Sequence, residues 1–216
     1  MTMIVITGTN TDVGKTIATA ALAARIPGAL PVKPVQTGEP DGSGDIVTIE
    51  RLTGVRGVEF TRYPEPLAPN LSARRAGMVQ LSLAEAVAKI RALEAPDRTL
   101  LIEGAGGLLV RMGDDWNLAD LAAELNADVL VVTSLGLGSL NLAELTVEAA
   151  RARGLRVIGL IGGAMPKAPD LATRLNVEQL PQVTGVPFLG WLPEGAGSLS
   201  VASFAHVAAG IQVPPR

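Results

Sequence analysis

A chain of 216 residues, 48% hydrophobic and 18% charged, has room for one α/β domain with a full core and is too short for two of ordinary size. Aromatic residues make up only 3%, so the core rests on Ala, Val, Leu and Ile, which suits parallel strands buried on both faces. The absence of cysteine excludes disulfides and thiol chemistry, a lone histidine (His206) cannot build a histidine metal centre or triad, and a scattered net charge of −3 gives no grip on nucleic acid or an anionic membrane.

In chain order, the apolar run MIVIT (3–7) reads as a strand, followed by the polar loop GTNTDVGKT and a helical pattern over 16–25. Further strands are expected at 30–35, 99–104, 128–133, 156–161 and 187–192, each bounded by Gly, Pro or Asp. Helical stripes follow at 81–95, 118–125 and 141–154, the last with Gly154 as its C-cap, and SVASFAHVAAG is helical around His206. The turn-rich region 36–47 and the proline-rich region 63–70 read as long surface loops, a length that is often functional. Strand and helix alternate, so the expected fold is α/β: a three-layer sandwich with a mainly parallel sheet, one domain over 1–216. MIVITG is too short for a secretory leader and the longest uncharged stretch (129–143) too short to span a bilayer, so a cytoplasmic location is expected.

On such a sheet, ligands meet the carboxyl ends of the strands. The loop after the first strand, Gly8 to Thr16, resembles the phosphate-cradling pattern GxxxxGK[ST]. Five residues rather than four separate Gly8 from Gly14, so Thr9 stands where the first glycine of the pattern would be. A strand before and a helix after put a phosphate against a helix N-terminus. KPVQTG (33–38) ends the second expected strand with a lysine and a threonine, and IEGAGG (102–107) ends the third with a carboxylate and a glycine-rich turn. A buried Glu103 needs a partner or a metal. Mg²⁺ prefers hard oxygen ligands, and Thr16, Glu103 and an acid from 41–45 can supply three.

The ordered set GTNTDVGKT, KPVQTG, GSGD, EGAGGLLV, GSLNLAEL and LGWLP resembles the dethiobiotin synthetases, a family of the P-loop NTPase superfamily, over nearly the whole chain. The resemblance implies an ATP- and Mg²⁺-dependent ligase that joins CO₂ to 7,8-diaminononanoate through a carbamate and a carbamic–phosphoric anhydride, the penultimate step of biotin synthesis. It implies that Asp12, Val13, Gly14, Lys15, Thr16 and Ile17 hold phosphates, and that Thr16, Asp45 and Glu103 hold Mg²⁺. Lys33, Lys15 and Thr11 are then catalytic, with Lys33 a charge stabiliser first and a proton acceptor only if its pKa falls. Gly104, Ala105, Gly106, Gly163, Ala164, Leu192 and Pro193 border the nucleotide, and Thr37 meets the diamine. A homodimer is implied, with Gly138, Ser139, Leu140 and Asn141 presenting a helix N-terminus to the substrate carboxylate of the neighbouring subunit; the alternative is that Ser139 and Asn141 cap their own helix.

One departure stands out. Many members of the family carry an asparagine that reads the nucleobase where this chain has Gly163, followed by Ala164, so other nucleoside triphosphates are expected to serve. Two rivals share the fold: an amidase of the cobyrinate type, which would need a glutaminase cysteine, and a partition or positioning ATPase, which would carry an extra lysine near Thr9 and Asn10.

Overall fold

The computed structural model describes residues 2–39 and 41–214. Seven strands form one sheet: β1 (Thr2–Gly8), β2 (Ala29–Thr37), β3 (Val58–Tyr63), β4 (Thr99–Gly107), β5 (Asp128–Thr133), β6 (Val157–Met165) and β7 (Phe188–Pro193). Their order is β3-β2-β4-β1-β5-β6-β7, and every pairing is parallel. The expected three-layer α/β architecture is therefore present, with a sheet that is parallel throughout.

The helices are α1 (Lys15–Arg25), α2 (Asp45–Thr53), α3 (Pro69–Arg75), α4 (Leu83–Arg91), α5 (Leu118–Leu125), α6 (Ser139–Arg151), α7 (Leu171–Thr184) and α8 (Val201–Ala208). Side chains alternate across β1: Ile4 and Ile6 join a cluster with α1, α2 and α8, while Val5 joins the other face with α4 to α7. Burial on both faces explains why the central strands read as continuous apolar runs. Among the described residues no helix is long and apolar enough to cross a membrane.

Several expectations need correction. The region 36–47 is not all loop: β2 runs on to Thr37 and α2 starts at Asp45. The region 63–70 holds the last residue of β3 and the first turn of α3, which uses Pro69 at its start, where a missing N–H costs nothing. The 141–154 helix begins two residues earlier, at Ser139, and ends at Arg151; Gly154 is not its cap but adopts φ 71° in the turn beyond. The 81–95 helix is confined to 83–91, and a capping box between Ser82 and Glu85 fixes its start. His206 lies exposed on α8.

β1 sits at the centre of the sheet between β4 and β5, and β2 lies beyond β4. The chain must step over β4 to pass from β1 to β2, which opens a crevice at the carboxyl ends of β1, β2 and β4. The candidate residues gather there.

Candidate functional site

The loop from Gly8 to Gly14 folds tightly back over the tip of β1. A Cβ on Gly8 would lie 2.5 Å from the Asn10 carbonyl, 2.8 Å from Val13 and 3.1 Å from the Lys15 ammonium, so the residue under the loop has to be glycine. Asp12 (φ 56°) and Gly14 (φ 93°) take left-handed conformations, the kind of backbone from which anion nests are built. Thr9 N–H donates to the Val132 carbonyl and ties the loop to β5. α1 begins at Lys15 with no capping side chain and no acid in its first turn, so its leading N–H groups and positive dipole face the crevice.

A cleft of about 850 Å³ lies over this loop, lined by Thr11, Asp12, Gly14, Lys15, Thr16, Ile17, Lys33, Gln36, Thr37, Glu39, Asp45, Pro66–Pro69, Glu103, Ala105, Gly106 and Val110. Lys15, Lys33 and Glu103, from three different segments, thus share one cavity. Lys33 is not a solvated lysine: it is 3% exposed and pairs with both Asp45 and Glu103, the latter at 3.2 Å. Its ammonium also donates to the Gly104 carbonyl at 2.7 Å. A Cβ on Gly104 would lie 2.2 Å from the Leu118 side chain at the start of α5, so a larger residue at that strand tip would force Leu118 to shift.

Burial alone would discharge Lys33, but Glu103 and Asp45 outweigh it and hold its pKa above the ordinary lysine value. These two carboxylates favour the charged form of Lys33. Asp45 is pushed up by burial and pulled further down by Lys33, so its carboxyl stays ionised. Glu103 is driven up by burial against the pull of Lys33, with the neighbouring Asp45 charge adding to the rise. Lys15 lies below the ordinary lysine value through burial and then through repulsion from Lys33, opposed by Glu103, Asp45 and Asp12. Among the described residues its ammonium donates only to the Asn10 carbonyl, at 3.2 Å. Two buried cations beside one another, one of them without a carboxylate partner, make a place for an anion.

The Thr16 hydroxyl stands 2.8 Å from Asp45 Oδ1 and 3.0 Å from Glu103 Oε1. Three hard oxygens thus converge beside the phosphate loop, a donor set that suits Mg²⁺, which commonly takes one or two carboxylates and completes its shell with phosphate and water.

The remaining expected residues divide. Thr11 and Thr37 line the cleft. Gly163, Ala164, Leu192 and Pro193 are at the tips of β6 and β7, on the far side of the phosphate loop from Lys33. There a Cβ on Gly163 would lie 1.9 Å from the Val13 carbonyl, and Ala164 is left-handed at φ 50°. Gly138 to Asn141 do not reach the cleft. Gly138 (φ 89°) opens α6 without a side-chain cap, so Ser139 and Asn141 do not cap the helix. Ser139 is buried and accepts from Asn176 Nδ2, which also holds the Leu135 and Gly136 carbonyls.

Sequence reading missed Thr19, Gln36, Glu59 and Arg62. Gln36 Oε1 accepts from the Asp45 N–H at 3.1 Å. The Arg62 guanidinium is gripped by Glu59 and donates to the Glu39 and Ser43 carbonyls, clamping the loop that leads to Asp45. Only the polar Thr19 within an alanine-rich helix, four residues after Lys15, carried a readable signal.

A family model described as an AAA domain matches residues 2–198. The ATP-dependent dethiobiotin synthetase of Corynebacterium diphtheriae is 59% identical over 218 aligned positions, covering 99% of this chain and 98% of that one. The chain belongs to the ATP-dependent dethiobiotin synthetases. The counterpart in Saccharopolyspora erythraea is 52% identical, covering 96% and 94%. Among solved structures, the septum site-determining protein MinD of Pyrococcus horikoshii, complexed with Mg-ADP, aligns with a TM-score of 0.61 at 16% identity over 97% of this chain and 93% of that one. A ParA family ATPase from Chlorobium tepidum gives 0.56 at 16%, covering 96% and 92%. At such identities the two structures speak for the fold alone. The positioning-ATPase alternative thus shares the fold, while the family is that of the synthetases.

Proposed function

We propose that this dethiobiotin synthetase closes a cyclic urea on 7,8-diaminononanoate with CO₂ and MgATP, releasing ADP and phosphate. The reading is carried by Lys15, Thr16, Lys33, Asp45 and Glu103 meeting in one cleft of a chain 59% identical to a named synthetase. One substrate amine adds to CO₂ and loses a proton, giving a carbamate. A carbamate oxygen attacks the γ-phosphorus, and the bond to the bridging oxygen of ADP breaks. The second amine then attacks the carbonyl carbon of the mixed anhydride, loses a proton and expels phosphate.

Each of these species is anionic, so the protein's task is to supply fixed positive charge and orientation. Lys15 and the N–H groups from Asp12 to Ile17 hold the phosphates. Lys33, kept cationic by Asp45 and Glu103, faces the carbamate and the charge that builds on the transferred phosphoryl group. Thr16, Asp45 and Glu103 would hold Mg²⁺, which neutralises phosphate charge when bound. Thr11 and Thr37 line the space left for the diamine. No side-chain nucleophile is required, in keeping with a chain without cysteine. We further assign a homodimer in which the open N-terminus of α6, Gly138 to Asn141, receives the substrate carboxylate of the partner subunit.

The test is direct. The protein is incubated with diaminononanoate, bicarbonate and MgATP, and dethiobiotin is sought by mass. Product formation stoichiometric with ADP is expected. ATP hydrolysis that ignores the diamine and yields no product would overturn the reading.

A further inference from the structure

α1 is built almost wholly of alanine and leucine on its buried side, yet Thr19 lies there, fully buried. An alanine would be the better helix former at that position. The Thr19 hydroxyl stands 2.6 Å from Glu103 Oε2 and 3.0 Å from the carbonyl of Lys15. It has one proton and two acceptors to choose between. The carboxylate is the stronger acceptor, and 2.6 Å is the length of a hydroxyl-to-carboxylate bond assisted by charge.

The two oxygens of Glu103 have different surroundings. Oε1 faces the cleft, 3.0 Å from the Thr16 hydroxyl and 3.2 Å from the Lys33 ammonium. Oε2 points back into α1, and Thr19 is its one donor among the described residues. Glu103 is 1% exposed, so water cannot replace a donor that is removed. A carboxylate pinned by one oxygen on the helix presents the other in a fixed direction.

We infer that Thr19 is a positioning residue: by holding Glu103 Oε2 it aims Oε1 at the point shared with Thr16 and Asp45, and so sets the affinity of this site for a divalent cation. The inference rests on the metal-binding role given to Thr16, Asp45 and Glu103 under the proposed function. Groups that orient a ligating carboxylate typically matter by about 10- to 100-fold in metal affinity.

Thr19→Val keeps shape and removes the hydroxyl; Thr19→Ser keeps the hydroxyl and removes the methyl. The probe is Mn²⁺, titrated by electron paramagnetic resonance against each protein in saturating ADP, beside thermal unfolding. About tenfold weaker Mn²⁺ binding is expected for Thr19→Val, with Thr19→Ser near the wild-type value. In turnover, the KM for Mg²⁺ should rise in Thr19→Val more than kcat falls. Unchanged Mn²⁺ affinity in Thr19→Val overturns the inference while the proposed function stands. Equal loss in both variants overturns it too, since that is the mark of lost packing. If Thr19→Val fails to fold, Thr19→Ala takes its place in the same comparison with Thr19→Ser. Wild-type protein that binds ADP but no Mn²⁺ overturns the metal site itself, and the inference with it.

Discussion

Lys33 is a buried cation that meets the buried Glu103, the partly exposed Asp45 and the Gly104 carbonyl. Removing one partner from such a cluster leaves like charges facing each other without compensation, at about 3–5 kcal/mol. Lys33→Met should therefore lower the melting temperature by about 10 °C, given about 2–4 °C per kcal/mol for a chain of this size. A divalent ion can supply the missing charge, so MgADP should raise the melting temperature of Lys33→Met more than that of the wild type. An unaltered melting point in calorimetry would show that the cluster is not what holds this end of the sheet. Lys15 differs, because it has no carboxylate partner of its own. Lys15→Ala should leave stability nearly intact and weaken nucleotide binding, with a loss in kcat of about 100- to 1000-fold, as for a missing preorganised donor.

Gly163 makes the same point in reverse. No side chain fits there while the phosphate loop keeps its course, because Val13 O occupies the space a Cβ would need. A side chain at this position therefore cannot read the base, and a site without such a polar group rejects a wrong base weakly. Turnover with CTP, GTP and UTP should fall within about tenfold of that with ATP, measured as kcat/KM, because a wrong base leaves no polar side chain unpaired here. Strict dependence on ATP would mean that main-chain groups at the tips of β6 and β7 select adenine. Gly163→Asn, far from sharpening selection, should push the loop aside and raise the KM for every triphosphate.

At the scale of elements, what the sequence carried depended on where each element lies. β1, β2, β4, β5 and β6 were legible because burial on both faces leaves an unbroken apolar run. β3 was missed because it is the edge strand: VEFTRY is half-buried and interrupts its apolar residues with charges. α2 was hidden by the turn residues before it, and α7 by its Asn176 and by Pro181 within the helix. The site was legible where its residues sit in a motif, and silent where tertiary contacts alone bring them in. Arg62 belongs to the second kind. It reaches from β3 across to the Glu39 and Ser43 carbonyls, and so fixes the loop from which α2 and Asp45 emerge. Arg62→Met keeps most of the apolar stem and removes the clamp. The KM for Mg²⁺ should rise several-fold with kcat at saturating metal little changed, and backbone amides of 41–45 should exchange hydrogen faster; protection unchanged by the substitution would mean that Gln36 alone secures the loop.

At the scale of the whole molecule, one face carries grouped apolar side chains. A shallow groove of about 440 Å³ runs between the phosphate loop and α6, lined by Thr9, Asn10, Leu108, Leu109, Val110, Leu142, Leu145 and Ala149. Leu109 and Leu145 are 44% and 54% exposed, and Leu137 beside the open start of α6 is 92% exposed. Apolar side chains grouped in this way are what the proposed homodimer would cover. The proposed homodimer covers it with a second copy and brings the partner's α6 N-terminus to the substrate. Two consequences of one contact can then be separated from fold stability. Leu145→Asp puts a charge in the groove, on a helix face that is already exposed, so the monomer itself should unfold at nearly the wild-type temperature. In sedimentation the wild type is expected to run as a dimer and the variant as a monomer. Its KM for diaminononanoate should rise at least tenfold while its affinity for ADP, which the proposed phosphate loop would hold without the partner, stays put. A variant that remains dimeric, or a monomer with an unaltered KM for the diamine, would place the partner's helix elsewhere and leave the substrate site within a single subunit.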